Sequence, residues 1–162
     1  MKTLLLMRHA KSSWDDKVDE DRNRPLSKRG KKNAERMGEL LKDEKVKPDL
    51  ILASNADRAR QTAELVIESM KYKGDRCFLN KLYMAEVEVY IQEIQRISDD
   101  INLVMLIGHN PTLGSLLQMM TDNVVALPTG AVAHITIPID SWKDFKVEIQ
   151  AELVNLWRPK EL

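Results

Sequence analysis

MKTLLLMRHA, residues 1–10, runs from four apolar side chains, Leu4 to Met7, straight into an arginine and a histidine. A short unbroken apolar run suits a strand buried on both faces, as in the middle of a parallel sheet. Arg8 and His9 then stand at the point where such a strand leaves the core.

Two further runs, DLILA (49–53) and NLVMLIG (102–108), have the same character. Between them lie helical stripes. Ala63, Val66, Ile67 and Met70 fall at i, i+3, i+4 and i+7, and Leu113, Leu116, Leu117 and Met120 repeat the spacing. Residues 27–42 read as a helix with Ala34, Met37, Leu40 and Leu41 inward, and 87–97 as another. VAHITIPI (132–139) and KVEIQAELVNLW (146–157) alternate as strands, the second antiparallel at an edge. The alternation predicts an α/β fold, a mostly parallel central sheet with helices on both faces.

The 162 residues, 43% hydrophobic and 31% charged, fit one domain over 1–162 with a sizeable core. Twenty-five basic residues balance 25 acidic ones, so no global field draws the chain to nucleic acid or an anionic membrane. The apolar run at the start is too short for a signal core or a membrane span, and Met1 reads as the start of a mature chain. A lone cysteine, Cys77, offers neither an internal disulfide nor a Cys-rich metal pattern, which suits a reducing compartment, and the cytoplasm is the expected one. A monomer is the expected state, and no metal or cofactor is expected.

The segment DDKVDEDRNRP, residues 15–25, has only Val18 as an apolar side chain and reads as a solvated loop or a flap over a site. Asp15 and Asp16 there are candidates to orient the flap or move a proton, against plain solvation. Trp14 is either an exposed contact for a protein substrate or a clamp under the loop. The KRGKK cluster, residues 28–32, reads as a solvated helix start or a patch for an acidic partner.

In a parallel sheet the carboxyl ends of the strands share one edge, and ligands bind there. Arg8-His9, Ser54 with Arg58 opening the next helix, and Gly108-His109 would gather at that edge. Asn110 suits the cap and Pro111 the first turn of the following helix, whose N–H groups favour an anion. Arginine forks match phosphate oxygens, and a neutral imidazole is a competent nucleophile toward phosphorus. Ser12, Arg24 and Asn110 are further candidates to bind substrate; His134, inside VAHITI, reads as a core or edge histidine.

The motifs LLLMRHA, Ser54 followed by RARQTA (58–63), and LIGHNPTL together resemble the histidine phosphatase superfamily, and its short bacterial phosphohistidine phosphatases of the SixA type above all. RHAKSSWDD, DRNRPLSKRGKKNA and LPTGAVAHI extend the likeness over nearly the whole chain. The resemblance implies a three-layer, phosphoglycerate mutase-like fold, His9 as the phosphate-accepting nucleophile, and Arg8, Arg58 and His109 as the rest of a phosphate pocket. Ala10 stands where the superfamily's common motif has glycine, and Asn55 where many relatives have proline.

Larger relatives carry a carboxylic acid that protonates a leaving alkoxide. Here LYMAEVEV leaves Met84 near that place, with Glu86 and Glu88 close by as candidate general acids. Without one, the preferred leaving group is one that needs little help, such as imidazole with its pKa of roughly 6.5. The expected activity is metal-independent hydrolysis of phosphohistidine on a signalling or phosphotransfer protein, the expected partner. The alternatives are a broad phosphatase of small phosphate esters and a non-catalytic module that binds a phosphorylated partner.

Overall fold

The computed structural model describes residues 1–14 and 17–162; Asp15 and Asp16, and the roles considered for them, lie outside the described residues. Six strands form one sheet, β1 (Lys2–Arg8), β2 (Leu50–Ser54), β3 (Asp75–Leu79), β4 (Leu103–Gly108), β5 (Val132–Ile137) and β6 (Glu152–Trp157), in the order β3-β2-β4-β1-β5-β6. The first four run parallel, and β5 and β6 are antiparallel to their neighbours.

Four helices cover the sheet: α1 (Lys28–Asp43), α2 (Asp57–Met70), α3 (Val87–Gln95) and α4 (Thr112–Thr121). The strand pleat sorts them. Leu5 and Met7 pack with Ala34, Met37 and Leu41 of α1 and Ala63, Val66 and Met70 of α2 on one face. Leu4 and Leu6 pack with Tyr90 and Ile94 of α3 and Leu113, Leu116 and Met120 of α4 on the other. Leu4 to Met7 are completely buried, at about 1.5–3 kcal/mol of transfer free energy each.

Ser27 caps α1, its hydroxyl accepting from the Gly30 N–H at 3.0 Å. Gly30 lets the helix lie directly on the Lys11 carbonyl, where a Cβ would collide with that oxygen. The loop after β1 is thereby pinned to the first turn of α1.

Three expectations shift. β3 was not visible in the sequence because an edge strand with Asp75, Arg76 and Cys77 exposed has no apolar period; pairing with β2 holds it in place. The strand expected over 146–157 begins only at Glu152, after a turn at 147–148. The charged segment is solvated only in part: Lys17, Val18, Asp19 and Glu20 are exposed, while Asp21–Asn23 form a 3-10 turn and Arg24 is buried.

Candidate active site

Strand β4 lies between β2 and β1, with Arg8 in register with Gly108 and Ala53 with Ile107. Arg8-His9, Ser54 and His109 therefore emerge level on one edge of the sheet. A cavity of about 310 Å³ opens there, and Arg8, His9, Arg58 and His109 line it together with Ser12, Arg24 and Asn110.

His9 is buried, and its Nδ1 lies 2.7 Å from the Ala10 carbonyl oxygen. A carbonyl only accepts, so Nδ1 carries the proton and Nε2 keeps the free lone pair. Ala10 is itself held: its N–H donates to Thr62 Oγ1 at 3.0 Å, and the Thr62 hydroxyl donates to the Arg58 carbonyl at 2.7 Å. The helix that carries Arg58 thus also orients the His9 ring.

The His109 ring centroid is 5.2 Å from that of His9. Ser54 Oγ accepts from the Ala56 N–H at 3.2 Å and lies 2.9 Å from His109 Nε2. Its own proton is free to be donated to Nε2, which leaves the imidazole proton on Nδ1. The His109 N–H donates to the Tyr90 hydroxyl at 3.3 Å, which donates to the Leu82 carbonyl at 3.1 Å. Only a glycine at 108 leaves room for that hydroxyl, because a Cβ would run into it.

Arg58 is gripped by Asp21, Nη1 donating to the Asp21 carbonyl and Nη2 to Oδ2, both at 3.0 Å. The other carboxylate oxygen accepts from Arg24 Nε at 3.1 Å, and the Tyr83 hydroxyl donates to Oδ2 at 2.7 Å. Arg24 donates onward to Ser12 Oγ at 2.8 Å and stacks 3.5 Å above the Trp14 ring. Trp14 is 77% exposed, so it lies on the outside of this arrangement and not beneath the loop. Asn110 accepts from the Gly114 N–H at 3.0 Å and so caps α4, one residue before the Pro111 N-cap position.

Arg8 Nε, Arg58 Nε and His109 Nδ1 are buried and have no hydrogen-bond partner among the described residues. Buried polar atoms are almost always paired, and leaving one unpaired costs about 1–3 kcal/mol. The three residues that carry these atoms all line the cavity, and its two guanidinium groups favour an anionic occupant.

Burial is the first cause that pushes the His9 imidazole down to about 3; His109, Arg58 and Arg8 add to it, and the bond to Ala10 opposes it. Burial likewise takes His109 down to about 4, with Arg58 and Arg8 adding and Asp21 opposing. The Tyr83 hydrogen bond, followed by Arg58 and Arg24, holds the Asp21 carboxyl below the usual carboxylate range. Near neutral pH the site therefore presents two neutral imidazoles, a carboxylate set behind the arginines, and cations facing the cavity.

Glu86 and Glu88 are exposed, and neither lines the cavity. Among the described residues the cavity lining contains no carboxylate, and no group of His, Cys, Asp or Glu could hold a metal ion. No described helix is long and apolar enough to cross a membrane.

Residues 4–76 match the histidine phosphatase superfamily (branch 1). An uncharacterized protein of Mycobacterium tuberculosis is 33% identical over 150 residues, covering 85% of this chain and 90% of its own. A crystal structure from Agrobacterium tumefaciens, of a protein proposed to be the phosphohistidine phosphatase SixA, superposes with a TM-score of 0.84 at 28% identity, over 98% of each chain. The chain belongs to the histidine phosphatase superfamily.

A second structure, of the protein histidine phosphatase SixA complexed with tungstate, shares the fold at a TM-score of 0.83 and 23% identity, over 98% of both chains. Membership of the histidine phosphatases and the likeness to SixA support phosphatase activity and the phosphoglycerate mutase-like fold. Within this histidine phosphatase the sequence reading missed Asp21 and Tyr83 as site residues. Asp21 sits in a run of charges without a period, and Tyr83 precedes an apparently featureless loop. The one available signal was a tyrosine just before the segment where an acid was sought.

Proposed function

We propose that the protein hydrolyses phosphohistidine on a protein substrate, through a transient phosphohistidine at His9. The observation that carries this reading is the lining of the cavity: two imidazoles and several cations, with no carboxylate among its described residues. Such a site stabilises charge on a transferring phosphoryl group but offers little help to a leaving alkoxide. Imidazole, with a pKa of roughly 6.5, needs little. The likeness to the Agrobacterium protein supports the same substrate class.

In the first step His9 Nε2 attacks phosphorus as the substrate N–P bond breaks; the substrate ring, which carries a proton on its other nitrogen, departs as neutral imidazole, and His9 becomes a phospho-imidazolium that keeps its Nδ1 proton. Arg8, Arg58 and His109, which line the cavity, stabilise the equatorial oxygens as charge spreads over them. A water molecule then attacks phosphorus, the Nε2–P bond breaks with His9 returning to neutral imidazole, and phosphate leaves as dihydrogen phosphate carrying both protons of the water. The arginines supply the charge neutralisation, so no metal is invoked.

The test compares phosphate release from a phosphohistidine-bearing protein with release from simple aryl and alkyl phosphates, with His9→Ala as control. A preference for phosphohistidine that is lost in the variant supports the proposal. Efficient alkyl-ester hydrolysis would overturn the substrate class and point to a general acid. Unaltered hydrolysis in His9→Ala would overturn the covalent route.

A further inference from the structure

Next to the phosphate cavity lies a second chamber of about 400 Å³, lined by Arg8, Lys11, Arg29, Arg158 and Lys160, with Glu161 the only acid among the described residues of its lining. Arg8, Lys11 and Thr129 line both spaces, so a molecule in one reaches directly toward the other. The chain as a whole is charge-neutral, which makes this excess of cations a local feature.

Three observations show that most of these cations are not compensated by the described residues. Glu161 is already paired with Arg158 at 3.1 Å, which, together with a 3.4 Å bond to the Ala126 carbonyl, fixes that guanidinium in the wall. Lys11, Arg29 and Lys160 have no carboxylate partner among the described residues. Arg29 stands in the first turn of α1, a turn with no acidic residue, where the helix dipole makes cations unfavourable. A bound anion offsets both the mutual repulsion and the dipole.

The cations come from three separate segments: the end of β1 with the loop after it, the first turn of α1, and Arg158 with the 3-10 turn Pro159–Glu161 that follows it. Lys11, Arg29 and Lys160 are exposed, on long flexible stems. That dispersed arrangement, without the buried convergent donors of the phosphate cavity, fits several carboxylates spaced along a polypeptide better than one compact second phosphate.

We infer that this chamber is an acidic-sequence subsite, which holds aspartate or glutamate side chains flanking the phosphohistidine of the protein substrate. The inference rests on the phosphohistidine reading above. It gives the basic cluster at residues 28–32 a role through Arg29.

The experiment uses the full chain, as wild type and R29E/K160E, with peptides carrying one phosphohistidine flanked by glutamates or by glutamines, and with phosphoimidazole. The expected wild-type kcat/KM is about tenfold or more higher for the glutamate peptide, the size of one or two screened charge contacts, and falls with added salt more steeply than for the glutamine peptide. In R29E/K160E the preference disappears, and the loss on the glutamate peptide exceeds that on phosphoimidazole by a similar factor. Equal rates for both peptides in the wild type, with no difference in salt dependence, would overturn the subsite while leaving the phosphohistidine reading intact.

A second arm reads the subsite without phosphohistidine chemistry: the unphosphorylated glutamate peptide inhibits aryl phosphate hydrolysis by the wild type and inhibits R29E/K160E about tenfold more weakly. If no phosphohistidine compound is hydrolysed, the proposed function falls, and this arm alone decides the subsite. Equal inhibition of both proteins overturns it, as does selective, Arg29-dependent inhibition by a small bisphosphate that the glutamate peptide does not match.

Discussion

His9 donates from Nδ1 to the carbonyl oxygen of Ala10, its own chain neighbour, at 2.7 Å. The contact selects the tautomer whose Nε2 lone pair is free, and it places that choice in the backbone rather than in an acidic side chain. Thr62 extends the arrangement, because it joins the Ala10 N–H to the Arg58 carbonyl. His9 and Arg58 thus share one support, and a shift in α2 would move both.

Asp21→Asn leaves the fold in place but loosens Arg58 and Arg24, which its two carboxylate oxygens align. Misplacement of a charge clamp costs on the order of tenfold to a hundredfold in kcat/KM. Tyr83→Phe, which removes one neutral donor to the same carboxylate, costs less. Steady-state kinetics on both variants, with thermal melts to confirm near-native stability, check the order.

Acid destabilises the unliganded protein through its two site histidines. Their folded pKa values, about 3 and about 4, lie below the unfolded value of 6.5. As pH falls from 6.5 the unfolded chain gains protons that the folded protein refuses, so stability is full above 6.5 and declines down to the folded values. The midpoint of thermal unfolding should fall by about 5 °C or more between pH 7 and pH 5. His109→Asn should flatten that slope, and a saturating phosphate analogue, which favours the protonated rings, should do the same.

Gly108→Ala forces a methyl group into the Tyr90 hydroxyl. Overpacking of this kind costs about 1–3 kcal/mol. Combining it with Tyr90→Phe removes the clash along with the hydroxyl, so the double variant should be more stable than the sum of the two losses predicts. Denaturant titrations of the three variants give the coupling energy.

What was legible in the sequence followed from periodicity and from strand ends. The apolar runs of β1, β2 and β4 located three buried strands, and parallel order then placed Arg8, His9, Ser54, Arg58 and His109 at one edge. Asp21 and Tyr83 were hidden for a physical reason. The bond from Arg58 to Asp21 and that from Tyr83 to Asp21 span 37 and 62 residues of sequence and arise from irregular segments, where no period betrays which face looks inward. The partner that orients His9 was hidden as well, because a backbone carbonyl is present at every residue and only the fold shows which one is in reach.

The most direct test of the account is to quench turnover of a phosphate-labelled phosphohistidine substrate and map the label on the protein. The account predicts an alkali-stable, acid-labile phosphoramidate at Nε2 of His9, approaching one per chain in the first turnover and absent from His9→Ala. Full turnover with no labelled protein at any time, or a label carried by His109 instead, would contradict it.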